Sequence, residues 1–171
     1  MDLFQFVVSL NLTGTFNLTR LVVAEMVKQE PVGPDGERGI VIMVSSSAAV
    51  RVTATSVIHS YTLHPQFEGQ PGQVAYAASK GAIRSMTLPM ARDLGQYGIR
   101  VVTIAPSLFV SPMTDRMPSK VKDSLIRDVV FPKRFGETHE FADMVRWLIE
   151  SMYVNGEVFR LSAGGRMPGK L

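Results

Sequence analysis

The chain has 171 residues, enough for one domain with a core, and with 46% hydrophobic and 19% charged residues it is globular rather than disordered. The net charge of +3 is small and scattered, and the densest basic stretch, Lys120 to Arg127, contains Asp123 and reads as a solvated helix face, so nucleic-acid binding is not indicated. The absence of cysteine excludes disulfides, thiolate catalysis and thiolate-bound zinc, and fits a reducing compartment.

The first element is a long apolar helical segment, Leu3 to Val27. Asn11, Thr13, Asn17, Arg20 and Glu25 interrupt it, so it reads as a packed amphipathic helix. No apolar run is expected to reach the roughly 18 to 20 residues a membrane span needs. The N-terminus shows neither a basic n-region nor an Arg/Ser-rich transit pattern. Gly33, Gly36 and Gly39 are spaced by threes, but they precede a strand instead of following one. With Pro34 and Asp35 among them, they form a turn-rich loop.

Gly39 to Ser47 is a short apolar run ending in hydroxyls, as in a buried parallel strand. Tyr76 to Tyr97 reads as a helix that Gly98 can end. Ile99 to Pro106 is a second buried strand, stopped by its proline. Met113 to Val130 reads from its periodicity as an amphipathic surface helix.

The chemistry concentrates at Tyr76-Ala77-Ala78-Ser79-Lys80. Four residues apart on a helix, a phenol and an amine project from one face, one turn apart. An ammonium held there favours a phenolate, bringing a tyrosine's ordinary pKa of about 10 toward the working range. Such a phenol can pass a proton to or from a substrate oxygen. The spacing alone also arises on solvated helix surfaces; its neighbours give it weight. Strand, serine, helix with Tyr and Lys, strand and proline follow in the order of the short-chain dehydrogenase/reductase family, which the chain resembles from Leu3 almost to its end. Phe67-Glu68-Gly69-Gln70, Met86 to Leu94 and Asn155 to Leu161 look most like the type-2 3-hydroxyacyl-CoA dehydrogenases.

The resemblance implies an α/β fold: the C-terminal portion of a Rossmann-like doubly wound parallel sheet, three strands with flanking helices, whose first βαβαβ half is missing. The glycine-rich turn that cradles a cofactor pyrophosphate, the acidic residue for the adenosine ribose and the Asn-Asn-Ala-Gly stretch are absent from the sequence. The chain is expected to form a single partial domain over 1–171, beginning at the helix after the family's fourth strand.

One segment is in excess. Ser46 and Tyr76 are 30 positions apart, where the family has about a dozen, consistent with a short strand-to-helix connection. Removing Val50 to Gln66, 17 residues, leaves 13 and joins Ala49 to Phe67. A Val-to-Gln block is what an unspliced in-frame intron would translate to, because valine codons begin GT and one glutamine codon is CAG. The alternative is a genuine loop insertion. It holds His59 and His64, two of the three histidines, but no further ligands at metal-binding spacing, so no metal is expected.

Site roles also follow from the resemblance. Tyr76 is expected to be the general acid/base, and Lys80 to hold the nicotinamide ribose and bias Tyr76. Ser46 is expected to hydrogen-bond the substrate oxygen; Ser45 and Ser47 compete for that role, though strand alternation aims both to the opposite face. Asn11 is expected to bind a water linking Lys80 to bulk solvent. Pro106, Ser107, Phe109 and Ser111 are expected around the nicotinamide. Ser107 and Val110 stand where the family prefers glycine, so their side chains should narrow that pocket; Leu108, Phe109 and the Met- and Leu-rich stretch Met113 to Val130 match the family's mobile substrate lid. Ser162 replaces a customary Asp, so the tail is expected to pack differently.

The implied function is an NAD(H)-dependent oxidoreductase acting on a secondary alcohol or ketone, such as a 3-hydroxyacyl-CoA or hydroxysteroid. NADP stays open, because the discriminating acidic residue is not in the chain. The alternative is an inactive fragment or pseudoenzyme with an interaction role. A homo-oligomer through the helices around 3–29 and 76–97 is expected, with no nucleic-acid or membrane partner, in a mitochondrial or cytoplasmic setting. The strand ending at Ser46 lacks a neighbour on one side, which predicts poor solubility, oligomerisation or dependence on another chain.

Overall fold

A computed structural model describes residues 2–47 and 74–165. The expected insertion at 50–66, with its two histidines, lies outside the described residues, as does Phe67–Gln70.

Three strands form one parallel sheet in the order β1-β2-β3: β1 Gly39–Val44, β2 Ile99–Pro106 and β3 Val158–Leu161. β1 runs in register from Gly39 opposite Ile99 to Val44 opposite Ile104, and β3 pairs Val158 with Thr103 through Leu161 with Pro106. β2 is the central strand and is buried from Ile99 to Ala105, which explains its near-continuous apolar sequence. The open three-stranded parallel sheet with helices on both faces is the expected architecture. Among the described residues, β1 has a strand on one side only.

Helices cover both faces. On one, Met43 and Val101 pack with Ile83 and Ala91 of α3, Val74–Gly95, and with Leu12 of the N-terminal helix. On the other, Val102 and Ile104 pack with Leu148 of α6, Thr138–Glu150, while Phe141, Met144 and Val145 fill the flanks. The short helices α4, Pro112–Asp115, and α5, Ser119–Arg127, follow β2.

The N-terminal helix is continuous through three pieces: α1 Asp2–Val8, a π-helical turn Ser9–Thr13, and α2 Gly14–Met26. Its polar residues do not break it, because the hydroxyls of Thr15 and Thr19 donate to the carbonyls of Asn11 and Thr15 at 2.7 and 2.8 Å. The helix is 25 residues long and, by length and composition, apolar enough to cross a membrane. That corrects the expectation that no stretch reaches this length: threonine hydroxyls bonded within the helix interrupt it less than charges would. One face packs inward at Leu12 and the buried Thr19. Phe6, Leu10 and Leu21 on the outer face are more than half exposed.

Arg100 was not singled out by its sequence, yet it joins three elements. Although it lies on β2 and is buried, its guanidinium donates to the carbonyls of Leu148, Ile149, Ser151 and Val154 and to Glu37 Oε1 at 2.7 Å. It thereby satisfies the orphan carbonyls at the end of α6 and ties down the glycine-rich loop. At Gly98, with φ +71°, a Cβ would collide with the Gly36 carbonyl, so the loop closes against the end of α3 only over glycine.

Candidate active site

The site forms where the C-terminal end of β1 meets the first turns of α3. Parallel sheets present their working groups at strand C-terminal ends, where the ladder stops and side chains turn free. Ser45 N–H still bonds Ile104 O at 2.8 Å, one residue beyond the strand. Ser46 and Ser47 both face the cavity described below. Strict alternation would have sent Ser47 to the other face; it fails because the strand ends at Val44 and a 3₁₀ turn begins at Ser47.

Tyr76 and Lys80 stand on one side of α3, with Lys80 Nζ 6.0 Å from the Tyr76 ring centroid, at the limit of useful cation–π contact. The ammonium donates to Val44 O at 2.9 Å. Burial, which disfavours the charged form, lowers the Lys80 pKa below its ordinary 10.5. Behind this pair, Asn11 Nδ2 donates to Ser79 Oγ at 3.2 Å, and Ser79 Oγ donates to Tyr76 O at 2.8 Å. Asn11 O, in the π turn, accepts the Thr15 hydroxyl.

A cavity of about 790 Å³ brings Ser46, Tyr76, Pro106, Ser107, Phe109 and Ser111 together. Its size suits a small-molecule site. Asn11 and Lys80 are not among its lining residues; Asn11 bonds Ser79 in the turn that carries Tyr76, and Lys80 bonds Val44 O at the tip of β1. Val110 does not line it either, because its N–H is turned to Gly136 O at 2.9 Å. Only Ser107 of the two glycine replacements adds a side chain to the wall.

The loop after β2 is held from behind. Gly136 N–H bonds Leu108 O at 2.9 Å, and the Phe109 ring lies so close that a Cβ on Gly136 would come within 2.6 Å of it. Phe109 also meets Phe141 edge-on, with centroids 5.8 Å apart. Ser111 caps α4, its Oγ accepting from Thr114 N at 3.2 Å. Its proton is left for Thr114 Oγ1 or for the cavity. Arg134 grips Glu140 through two bonds of 2.8 Å, and Glu140 also accepts from Glu137 N–H. The Arg134 fork and that amide hold the Glu140 carboxyl down to about 2. At the tail, Ser162 Oγ accepts from Arg160 Nε at 3.3 Å.

The remaining walls are mostly apolar: Leu3 and Val7 from α1, Met113 from α4 and Met117 just after it, and Phe141 with Thr138 from α6. The resemblance pointed to the methionine-bearing stretch after β2, but the α1 and α6 residues were not expected here. Their positions look like ordinary helix periodicity, and only the packing of distant helices brings them to the site. The arrangement offers hydroxyl donors at Ser46, Tyr76 and Ser111, a half-buried ammonium behind them, and an apolar surround. It can bind an oxygen-bearing carbon of an apolar molecule and move one proton at that oxygen.

Known proteins share the sequence and fold of this chain. The family described as enoyl-(acyl carrier protein) reductase matches residues 57–165. The chain is 48% identical to 3-hydroxyacyl-CoA dehydrogenase type-2 of Mus musculus over 96% of its length and 56% of the relative's. The relative of that name from Drosophila melanogaster is 43% identical, over 96% and 57%. Among solved structures, 3-hydroxyacyl-CoA dehydrogenase type-2 from Mycobacterium avium superposes with a TM-score of 0.84 at 36% identity, covering 98% of this chain and 58% of that one. A 3-oxoacyl-[acyl-carrier protein] reductase from Brucella melitensis with bound NAD superposes at 0.71 and 30% identity, over 98% and 53%. The chain thus spans little more than half the length of the relatives it matches.

Proposed function

Because the chain belongs to the short-chain dehydrogenase/reductase family, we propose that its cavity is the reaction site of an NAD(H)-dependent oxidoreductase. Its substrate is a secondary alcohol or ketone of the 3-hydroxyacyl-CoA or hydroxysteroid kind. The observation that carries this reading is the convergence of Ser46, Tyr76 and Ser111 on one cavity, with the Lys80 ammonium 6.0 Å from the Tyr76 ring. The names of the relatives support the substrate class, and the NAD held by one solved relative supports the cofactor.

The donors fit the nicotinamide end of such a cofactor. Lys80 spends one of its three N–H donors on Val44 O and has two for ribose hydroxyls, while Ser111 keeps a hydroxyl proton for a carboxamide oxygen. For the pyrophosphate there is no match among the described residues, where no glycine-rich turn leads from a strand into a helix N-terminus. NAD, when bound, supplies the hydride chemistry. Ser46 orients the substrate oxygen by hydrogen bonding. Tyr76 takes the hydroxyl proton in oxidation and returns it in reduction, and the Lys80 charge offsets negative charge on the phenolic oxygen.

Titration of the purified chain with NADH, followed by nicotinamide fluorescence, tests this. Saturable binding, with turnover of a 3-hydroxyacyl-CoA that Tyr76→Phe lowers at least about 100-fold, is expected, in line with the 10²- to 10⁴-fold worth of a positioned acid/base. A second reading, an inactive fragment with an interaction role, is favoured by the 56% coverage of the relatives and the one-sided β1. Absence of NADH binding by folded protein would select it.

A further inference from the structure

Two adjacent residues at the tip of β1 and one residue of α3 are joined by a reciprocal pair of bonds. Ser45 Oγ donates to Lys80 O at 2.7 Å, and Lys80 Nζ donates back to Val44 O at 2.9 Å. A helix carbonyl has a second lone pair after accepting its ladder N–H, so the Ser45 bond adds to the helix without breaking it. On the other side of the same turn, Ser79 Oγ occupies Tyr76 O and accepts the Asn11 amide. The two residues thought to carry chemistry therefore each have a carbonyl held by a serine hydroxyl. Both serines are almost wholly buried, Ser45 at 2% and Ser79 at 1% exposure, where an unpaired hydroxyl is costly.

We propose that Ser45 and Ser79 are positioning residues, which lock the Tyr76–Lys80 turn to the β1 tip and to the π-helical turn and so set the separation of Ser46, Tyr76 and Lys80. That purpose rests on the function proposed above; the locking itself does not. Ser45 is the stronger case, because its covalent neighbour is Ser46: fixing Ser45 against Lys80 O fixes where the next hydroxyl can sit. A displacement of about 1 Å at such a site can change rates on the order of 100-fold. Ser45 also holds the carbonyl of Val44 in place as the acceptor for the Lys80 ammonium. The Lys80 charge is thus kept in its half-buried position, beside Tyr76 as its titratable neighbour.

The test reads Lys80 directly and needs neither cofactor nor turnover. In full-length protein labelled with ¹³Cε-lysine, with the Lys80 signal assigned by Lys80→Met, the wild-type Lys80 should titrate below the ordinary 10.5. Ser45→Ala and the nearly isosteric Ser45→Cys, a much weaker donor, should both move that midpoint up toward the ordinary value, because the loosened ammonium gains water. Ser45→Thr, which keeps the hydroxyl, should restore it. Ser79→Ala should shift the Tyr76 ring resonances while Ser79→Thr does not. A Lys80 titration unchanged in folded Ser45→Ala or Ser45→Cys protein would overturn the proposal, as would an unperturbed wild-type midpoint. Should NADH fail to bind while Lys80 responds as described, the functional reading fails and the positioning role stands.

Discussion

Arg100 shows how one side chain governs a region without touching the cavity. It is a charge on the central strand of a parallel sheet, a place where burial is normally prohibitive unless every donor is met. Here four carbonyls and Glu37 meet them. Arg100→Met keeps much of the volume but strands Glu37 and the end of α6. It should destabilise the fold by about 3 kcal/mol, the lower end of the range for breaking a buried pair, measured as a lowered urea midpoint. Arg100→Lys should recover only part of this, since an ammonium cannot spread its donors as a guanidinium fork does.

At the scale of elements, α6 is anchored at its start by Glu140 and at its end by Arg100. The Glu140 carboxylate accepts from the Arg134 fork and from Glu137 N–H, and its pKa falls from the ordinary 4.5 to about 2. A carboxyl with a depressed folded pKa stabilises fully above its unfolded value and loses that contribution as pH falls through the folded one. Thermal melts of wild type and Glu140→Gln should therefore differ most above pH 4.5, converge as the pH drops below it and coincide near pH 2. A gap independent of pH would contradict the assignment. The same segment holds the loop after β2 through Gly136 and Phe109, so α6 shapes the cavity wall from a distance of thirty residues along the chain.

At the scale of the whole molecule, two surfaces lack a partner among the described residues: the outer edge of β1 and the apolar outer face of the helix 2–26. Edge strands and exposed apolar stripes of this kind associate unless something covers them. The chain alone should therefore sediment as oligomers, and Leu10→Glu with Leu21→Glu, both at exposed positions, should shift it toward smaller species without lowering its melting temperature. A monodisperse wild-type monomer that melts cooperatively would overturn this. Much of the architecture was legible beforehand. Strands at Gly39 and Ile99 follow from near-continuous apolar runs, the helix from Tyr76 follows from its periodicity and glycine stop, and Tyr76 with Lys80 from a spacing that a helix turns into proximity. These are local signals, carried by a few neighbouring residues through backbone geometry. The Ser47 orientation, the roles of Ser45, Ser79 and Arg100, and the walls from α1 and α6 were not legible. The Ser47 orientation turns on where the strand stops; the others depend on contacts between segments 35 or more residues apart, which exist only once β2 has gathered its helices around it.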